Sequence, residues 1–286
     1  MNITISPRDS PGLGHSDFFS DHSMACRLER TEATANAHFV EARAQLEPNL
    51  GAQWIAVAGA YLMFDGVRSP CTQTFGLGLF KMPTAAEMNE IERFFRERHA
   101  PIFHEVSPLA DKSLIPMLNR RGYHPIEFTT VMFMPLNDSR REVSAETEDI
   151  QVRVIAESDR DLWAQTAAEG WQADTEFMDL LFSMMRINAY RSSGICFLAE
   201  LRGQPIATGA LAIHDRVALL AGASTVPQWR RQGAQNALLE ARLQYAAQVG
   251  CDLAMFCAAP GSASQRNAER QGFRIAYTRT KFELSI

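Results

Sequence analysis

Apolar residues in this chain fall into two kinds of run, and the two kinds alternate. Val217-Ala218-Leu219-Leu220-Ala221-Gly222-Ala223-Ser224-Thr225 is short and nearly continuous, which predicts a buried strand. Pro227 stops it. From Gln232 to Val249 the period changes: Ala234, Leu238, Ala241 and Tyr245 recur at helical spacing, and Gly250 follows where a helix would close. Cys251 to Cys257 reads as the next strand, with both cysteines on one of its faces. A polar turn at Pro260 to Ser264, a short helix through Arg270, the pair Gly272-Phe273 and a strand from Ile275 to Leu284 complete the series.

The first half runs through a similar order. Trp54 to Phe64 and Cys71 to Phe80 read as two strands joined by the turn-rich Asp65-Gly66-Val67-Arg68-Ser69-Pro70. Gly76 and Gly78 then fall inside the second of these strands, as a bulge or a close-packing point. A helix is expected from Thr84 to Arg98, with Thr84 as its cap and Glu87 in the capping-box position. A strand at Ile102 to Val106, a helix at Ser113 to Arg120 and a strand at Glu127 to Leu136 follow. Asn119-Arg120-Arg121-Gly122-Tyr123 echoes Glu269-Arg270-Gln271-Gly272-Phe273, and the two Gly-aromatic pairs are 150 residues apart (122 to 272). The chain therefore reads as a tandem repeat of one α/β (α+β) unit. The expected units are residues 1–140 and 150–286, joined by the polar Asn137 to Asp149.

The turn before the Gln232 helix carries the chemistry. A strand, a short basic turn with one glycine and a helix start aim unpaired N–H groups at one point, where the helix dipole adds positive potential. Gly233 permits close backbone approach, and Arg230 and Arg231 add full charges. Such a place suits a phosphate. It lacks both the Gly-Lys-Ser/Thr ending of a triphosphate loop and the three glycines of a dinucleotide fingerprint.

Arg230-Arg231-Gln232-Gly233-Ala234-Gln235 resembles the acyl-CoA signature of the GNAT acyltransferase superfamily, Gln/Arg-x-x-Gly-x-Gly/Ala, with Gln235 in place of the last Gly/Ala. The strand, helix, Gly-Phe and strand after it resemble the closing unit of that family, so the resemblance covers about Gln151 to Ile286. It implies two tandem GNAT-like units, each a mixed, mostly antiparallel sheet flanked by helices. It also implies acetyl-CoA as co-substrate, held by Ser224, Thr225, Val226, Arg230, Arg231, Gln232, Gly233, Ala234, Gln235, Asn236 and Ser264. In the first copy Lys81-Met82-Pro83-Thr84 replaces the cradle, with no glycine and a proline that removes a donor. That copy is expected not to bind acyl-CoA.

The reaction implied is direct transfer of an acyl group from the thioester to a primary amine. It needs proximity, a backbone N–H near Ser224 to Val226 for the developing oxyanion, and a base for the ammonium proton. The tyrosine often found four residues before the Gly of Gly-Phe, which can protonate the leaving thiolate, is Ala268 here, and the asparagine eleven residues before it is Gly261. Glu169, which with Asp174 flanks Gly170-Trp171, and Tyr277 are the candidate catalytic residues. Trp171 is expected in the core, and His214 at a strand-to-strand turn beside Asp215-Arg216. A non-catalytic acyl-CoA sensor is the alternative.

Composition narrows the setting. A chain of 286 residues, 46% hydrophobic, suggests two domains with real cores. A net charge of −5 argues against general nucleic-acid binding and leans slightly toward a polycationic acceptor. No apolar run approaches the ~20 residues that cross a bilayer, and the polar stretch to Phe19 is not a secretory signal. Five cysteines without ligand spacing argue for reduced thiols and no metal. A cytoplasmic enzyme is expected, monomer or homodimer, acting on a CoA thioester and a small amine.

Overall fold

The computed structural model describes residues 19–136, 149–171 and 175–285. Asp174 and positions 137–148 of the expected linker lie outside them, as does the N-terminal stretch up to residue 18.

In the first half the strands are β1 (Gln53–Val57), β2 (Ala60–Phe64), β3 (Gln73–Phe75), β4 (Phe103–Val106) and β5 (Tyr123–Pro135). The second half has β6 (Ile150–Val154), β7 (Gly194–Leu201), β8 (Gln204–His214), β9 (Val217–Thr225), β10 (Leu253–Ala258) and β11 (Arg274–Leu284). All eleven belong to one sheet, in the order β1-β2-β3-β4-β11-β5-β10-β9-β8-β7-β6. Only β3–β4 and β9–β10 are parallel pairs; the other pairs are antiparallel.

The order shows an exchange at the centre. β11 lies between β4 and β5, while β5 lies between β11 and β10. Each half thus gives its closing strand to the other half's penultimate one: Lys281 faces Glu105, and Phe133 faces Met255.

Helices cover both faces. Alternation along β9 sorts them: Val217 and Leu219 pack under α1 (His22–Leu46), whereas Ala218 and Leu220 pack under α6 (Ala234–Gln248). α4 (Arg160–Trp171) and α5 (Thr175–Tyr190) cover Cys196, Leu198 and Ala210, with Trp163 fully buried. On the other face α2 (Ala85–Arg96) and α3 (Leu114–Arg120) cover the first half, and α7 (Ala263–Arg270) adds Ala268 to the α6 core.

The structure departs from the sequence expectations at several points. Trp54 to Phe64 is not one strand but a hairpin, because Ala58 and Gly59 both take positive φ (50° and 77°) and reverse the chain. The strand expected to reach Phe80 stops at Phe75, and Gly76 and Gly78 lie beyond it with φ of 74° and 70°. Cys251 precedes β10 and packs under α6, whereas Cys257 on β10 packs toward α1, so the two do not share a face. The helix after the basic turn starts at Ala234, not Gln232. Thr84 and Glu87 do form the capping box, and Gly122 and Gly272 each precede a closing strand with φ of 88° and 95°.

The long helix α1 had no expectation at all. Its buried side includes Glu29, Thr31 and Arg43 among alanines, so the apolar period that marks a helix is broken. Those polar residues find partners across the seam. Arg279 of β11 pairs with Glu29 (3.2 Å) and, through a second nitrogen, with Glu32 Oε1 (2.9 Å), both on α1, and with Glu105 of β4 (3.0 Å). Tyr277 donates its hydroxyl to Glu29 (2.9 Å). Three carboxylates around one guanidinium are in excess, and burial pushes the Glu29 carboxyl up to about 7 despite the opposing pull of Arg279.

Candidate acyl-CoA site

The site begins where β9 and β10 part. Their parallel pairing covers only Val217–Leu219 against Leu253–Met255, although β9 continues to Thr225 and β10 to Ala258. Beyond Leu219 β9 pairs with β8 alone, up to Ala207 opposite Thr225. A wedge therefore opens between β9 and β10, with one edge of β9 left without a strand. A bulge between the Thr208/Ser224 and Ala210/Ala221 pairs bends β9 there, with Gly222 at φ 60°.

At the end of β9 the chain makes a single turn at Pro227–Trp229 and then enters α6. Gly233 is the N-cap of α6 at φ 85°, a conformation a Cβ would strain. No side chain caps this helix, and no acid stands in its first turn. The Asn236 N–H already turns back to the Gly233 carbonyl (3.0 Å), and the N–H groups before it stand at the positive end of the dipole, where a helix offers no internal acceptor. Arg231 (φ 65°) and Gln232 beside them are exposed. A charged oxygen placed there meets backbone donors and cationic side chains together.

The remaining candidates divide by what they touch. Arg230 donates to the carbonyls of Gly170 (2.9 Å) and Thr225 (3.3 Å), which ties the C-terminal end of α4 to the turn. Ser224 is buried, donates to the Ala167 carbonyl (2.9 Å) and meets the Thr208 hydroxyl (3.0 Å). Gly170 makes this packing possible, since a Cβ there would collide with Ser224. The Val226 N–H donates to the Ile206 carbonyl (3.0 Å) and so belongs to the β8–β9 ladder. Gln235 donates through Nε2 to the Ser224 carbonyl and the Thr225 hydroxyl, both at 2.8 Å. Ala234 is buried in the α6 core; Asn236 is exposed and accepts from Gln271 (3.3 Å). Ser264 is exposed on α7, and the cap of that helix is Ser262.

The two catalytic candidates lie apart. Glu169 is on the exposed side of α4 and accepts from Gln165 (3.1 Å). Tyr277 is buried in the Arg279 network, and its phenol is pushed far up by burial and by the neighbouring Glu29. Trp171, expected in the core, is 54% exposed at the last position of α4; the buried tryptophan of that helix is Trp163, which donates to the Phe197 carbonyl (2.9 Å). His214 ends β8 at a turn whose Asp215 and Arg216 take φ of 46° and 61°. Ala268 sits in the core beside Phe273. Gly170 and Gln235 as contacts of β9 had no sequence signal beyond being a glycine and a departure from a motif.

The corresponding helix start in the first half is closed. Thr84 accepts from the Glu87 N–H (3.2 Å), and Glu87 accepts from the Thr84 N–H (2.8 Å) and from Lys81 (2.8 Å). The Lys81 hydrogen bond, with those of Thr84, holds the Glu87 carboxyl down at about 2. Side-chain oxygens of Thr84 and Glu87 thus satisfy N–H groups at the start of α2.

Residues 159–273 match the family model described as Acetyltransferase (GNAT) family. The second half of the chain belongs to the GNAT superfamily. No curated protein matches the sequence. Among solved structures, a GCN5-related N-acetyltransferase from Kribbella flavida is similar at 20% identity, over 86% of this chain and 95% of its own, with a TM-score of 0.60. One from Sphaerobacter thermophilus is similar at 14% identity, over 91% and 92%, with a TM-score of 0.54. A tandem GNAT protein from the clavulanic acid biosynthesis pathway is similar at 14%, over 79% and 78%, also at 0.54. At these identities the likeness is one of fold, and it extends the GNAT architecture across both halves. Members of the GNAT family are acyl-CoA N-acyltransferases. Among the described residues no helix is long and apolar enough to cross a membrane, and no group of three or more His, Cys, Asp or Glu is placed to hold a metal.

Proposed function

We propose that the chain is an N-acetyltransferase that moves an acetyl group from acetyl-CoA to a primary amine of a small acceptor, in the cytoplasm. The observation that carries this is the uncapped start of α6, with Gly233 at φ 85°, beside the wedge between β9 and β10. In this reading the unit at residues 150–286 holds the CoA phosphates on the N–H groups from Gly233 to Gln235, with Arg231 and Gln232 at the rim and Asn236 beside them. The unit at residues 1–140 binds none and serves to pack and shape the whole. The thioester supplies the activated acyl group. The chain supplies position, and its Thr225 end of β9 lines the wedge. Glu169, exposed and near Gly170, is proposed to take the ammonium proton through solvent.

A second reading is a sensor that binds acyl-CoA without turnover. Ala268 favours it, since a buried methyl group has no proton to give to a leaving thiolate. Thiol release from acetyl-CoA, followed across a panel of small-molecule, peptide and aminoglycoside amines, separates the two. Amine-dependent release is the expected result. CoA binding with no release on any amine overturns the enzyme and leaves the sensor.

A further inference from the structure

Arg242 is a buried cation with no acid beside it. It lies two turns into α6 and is 4% exposed, and among the described residues no carboxylate pairs with it. Burial pulls its guanidinium down to about 10. Its nitrogens meet carbonyls instead. Nε donates to Leu238 (3.0 Å), and Nη1 donates to Ala210 on β8 and Ala221 on β9, both at 3.4 Å. Ala210 and Ala221 form the last regular pair before the bulge, where Gly209 alone stands opposite Gly222 and Ala223. Both glycines make room for side chains. A Cβ on Gly209 would stand 2.9 Å from the Arg242 guanidinium carbon, and one on Gly222 would stand 3.1 Å from the Asn188 amide nitrogen on the other face. The bulge is therefore held from both faces, by a cation on α6 and by an amide on α5.

A buried charge without a counter-charge costs stability, and such costs are kept where the position serves function. The bulge is such a position. It follows within three residues of Leu219, where β9 stops pairing with β10, so it stands at the apex of the wedge. From Gly233 to Arg242 the helix rises roughly 13 Å. One rigid element thus carries the anion site at its start and the bulge contact further in, as a ligand with phosphates at one end and a thioester at the other requires. We propose that Arg242 is a positioning residue for acyl transfer: it fixes the β8–β9 bulge from the α6 face, and through the bulge the segment of β9 that receives the thioester carbonyl. This rests on the acyl-CoA reading of the site given above. Arg242 acts through the Ala221 and Ala210 carbonyls and not by contact with the ligand. Its effect belongs to the acyl end, because the phosphate end is held at the start of α6 by groups that Arg242 does not touch.

The test uses the full chain, Arg242→Met and Arg242→Lys, with acetyl-CoA and CoA as calorimetric probes. Arg242→Met keeps most of the side-chain volume and removes the charge and its donors. It is expected to bind CoA within about twofold of the wild type and acetyl-CoA about tenfold more weakly, with Arg242→Lys between the two. Equal weakening toward both probes, or none, overturns the inference and leaves the acyl-CoA site standing. A wild type that binds neither probe overturns the acyl-CoA reading itself, and the inference with it. If Arg242→Met gives no cooperative thermal transition, Arg242→Lys decides alone: a wild-type ratio of the two affinities overturns the proposal. Amide hydrogen exchange reads the bulge without a ligand. Exchange at Gly222 and Ala223 should quicken in Arg242→Met, while exchange from Val217 to Leu219 stays as in the wild type. Unchanged exchange at the bulge overturns the positioning role whatever the affinities are.

Discussion

The starts of α2 and α6 occupy equivalent places in the two halves, and they differ in what satisfies their first N–H groups. α2 closes on itself: Thr84 and Glu87 exchange hydrogen bonds, and Lys81 neutralises the acid. α6 has a left-handed glycine for a cap and leaves its donors outward. A capping box and an anion site are alternative uses of the same orphan groups. The path of the chain differs with the use: Thr84 enters α2 extended (φ −73°), whereas Gly233 enters α6 left-handed (φ 85°).

Blocking the open end of α6 has the largest expected effect. Gly233→Val places a branched side chain at φ 85° and over the cradle, so CoA should bind at least ~10-fold more weakly by calorimetry, about 1.4 kcal/mol. Wild-type affinity in a folded Gly233→Val protein would remove the site from α6. Stoichiometry tests the closed end: titration should give a single CoA per chain, and two equivalent sites would show that the Thr84–Glu87 box does not exclude the ligand.

Beyond the two helix starts, the seam supplies a pH test. Glu29 has its carboxyl raised from 4.5 to about 7 in the folded protein. A group raised on folding contributes stability that is complete below its unfolded value and is lost as pH climbs through the folded one. Thermal stability should therefore fall between pH 5 and pH 8, by roughly 4–8 °C from this group, and Glu29→Gln should flatten the slope. An unchanged slope in that variant would assign the dependence elsewhere. Tyr277→Phe loses a hydrogen bond in the same network, far from the α6 start, and should lower kcat less than ~10-fold. A loss above a hundredfold with CoA affinity intact would make its hydroxyl the thiolate acid. The smallest effect belongs to Thr84→Ala, which should cost ~1 kcal/mol of stability on chemical denaturation and leave CoA affinity unchanged.

Much of this plan was legible in the chain. The element order from β3 to β5 and from β9 to β11, the capping box at Thr84 and the Gly-aromatic repeat all follow from local chemistry: period, caps and glycine positions. The strand–turn–helix setting of Gly233 was legible for the same reason, because its residues are consecutive in sequence. What was not legible depends on distant partners. α1 is buried through Glu29, Glu32 and Arg43, whose charges are met by Arg279 and Asp65 on other elements. Its burial cannot be read from its own period. Gln235 looked like a small lapse in a motif until Ser224 and Thr225 were beside it. Trp171 was expected inside, but it ends α4, and where a helix stops relative to the sheet depends on packing that its own residues do not show.

The crossed closing strands also dictate an order of assembly. β4 and β5 are neighbours in sequence, yet they are held apart by a strand made long after both, with Phe103 paired to Glu283. While the chain is being synthesised, the first half emerges with two strand edges that have no partner and cannot be joined to each other in the native register. It must wait, and exposed edges are what nonspecific pairing feeds on. Contacts this distant in sequence make for slow folding. The two repeats are consecutive as text but simultaneous as objects: neither can be finished before the other.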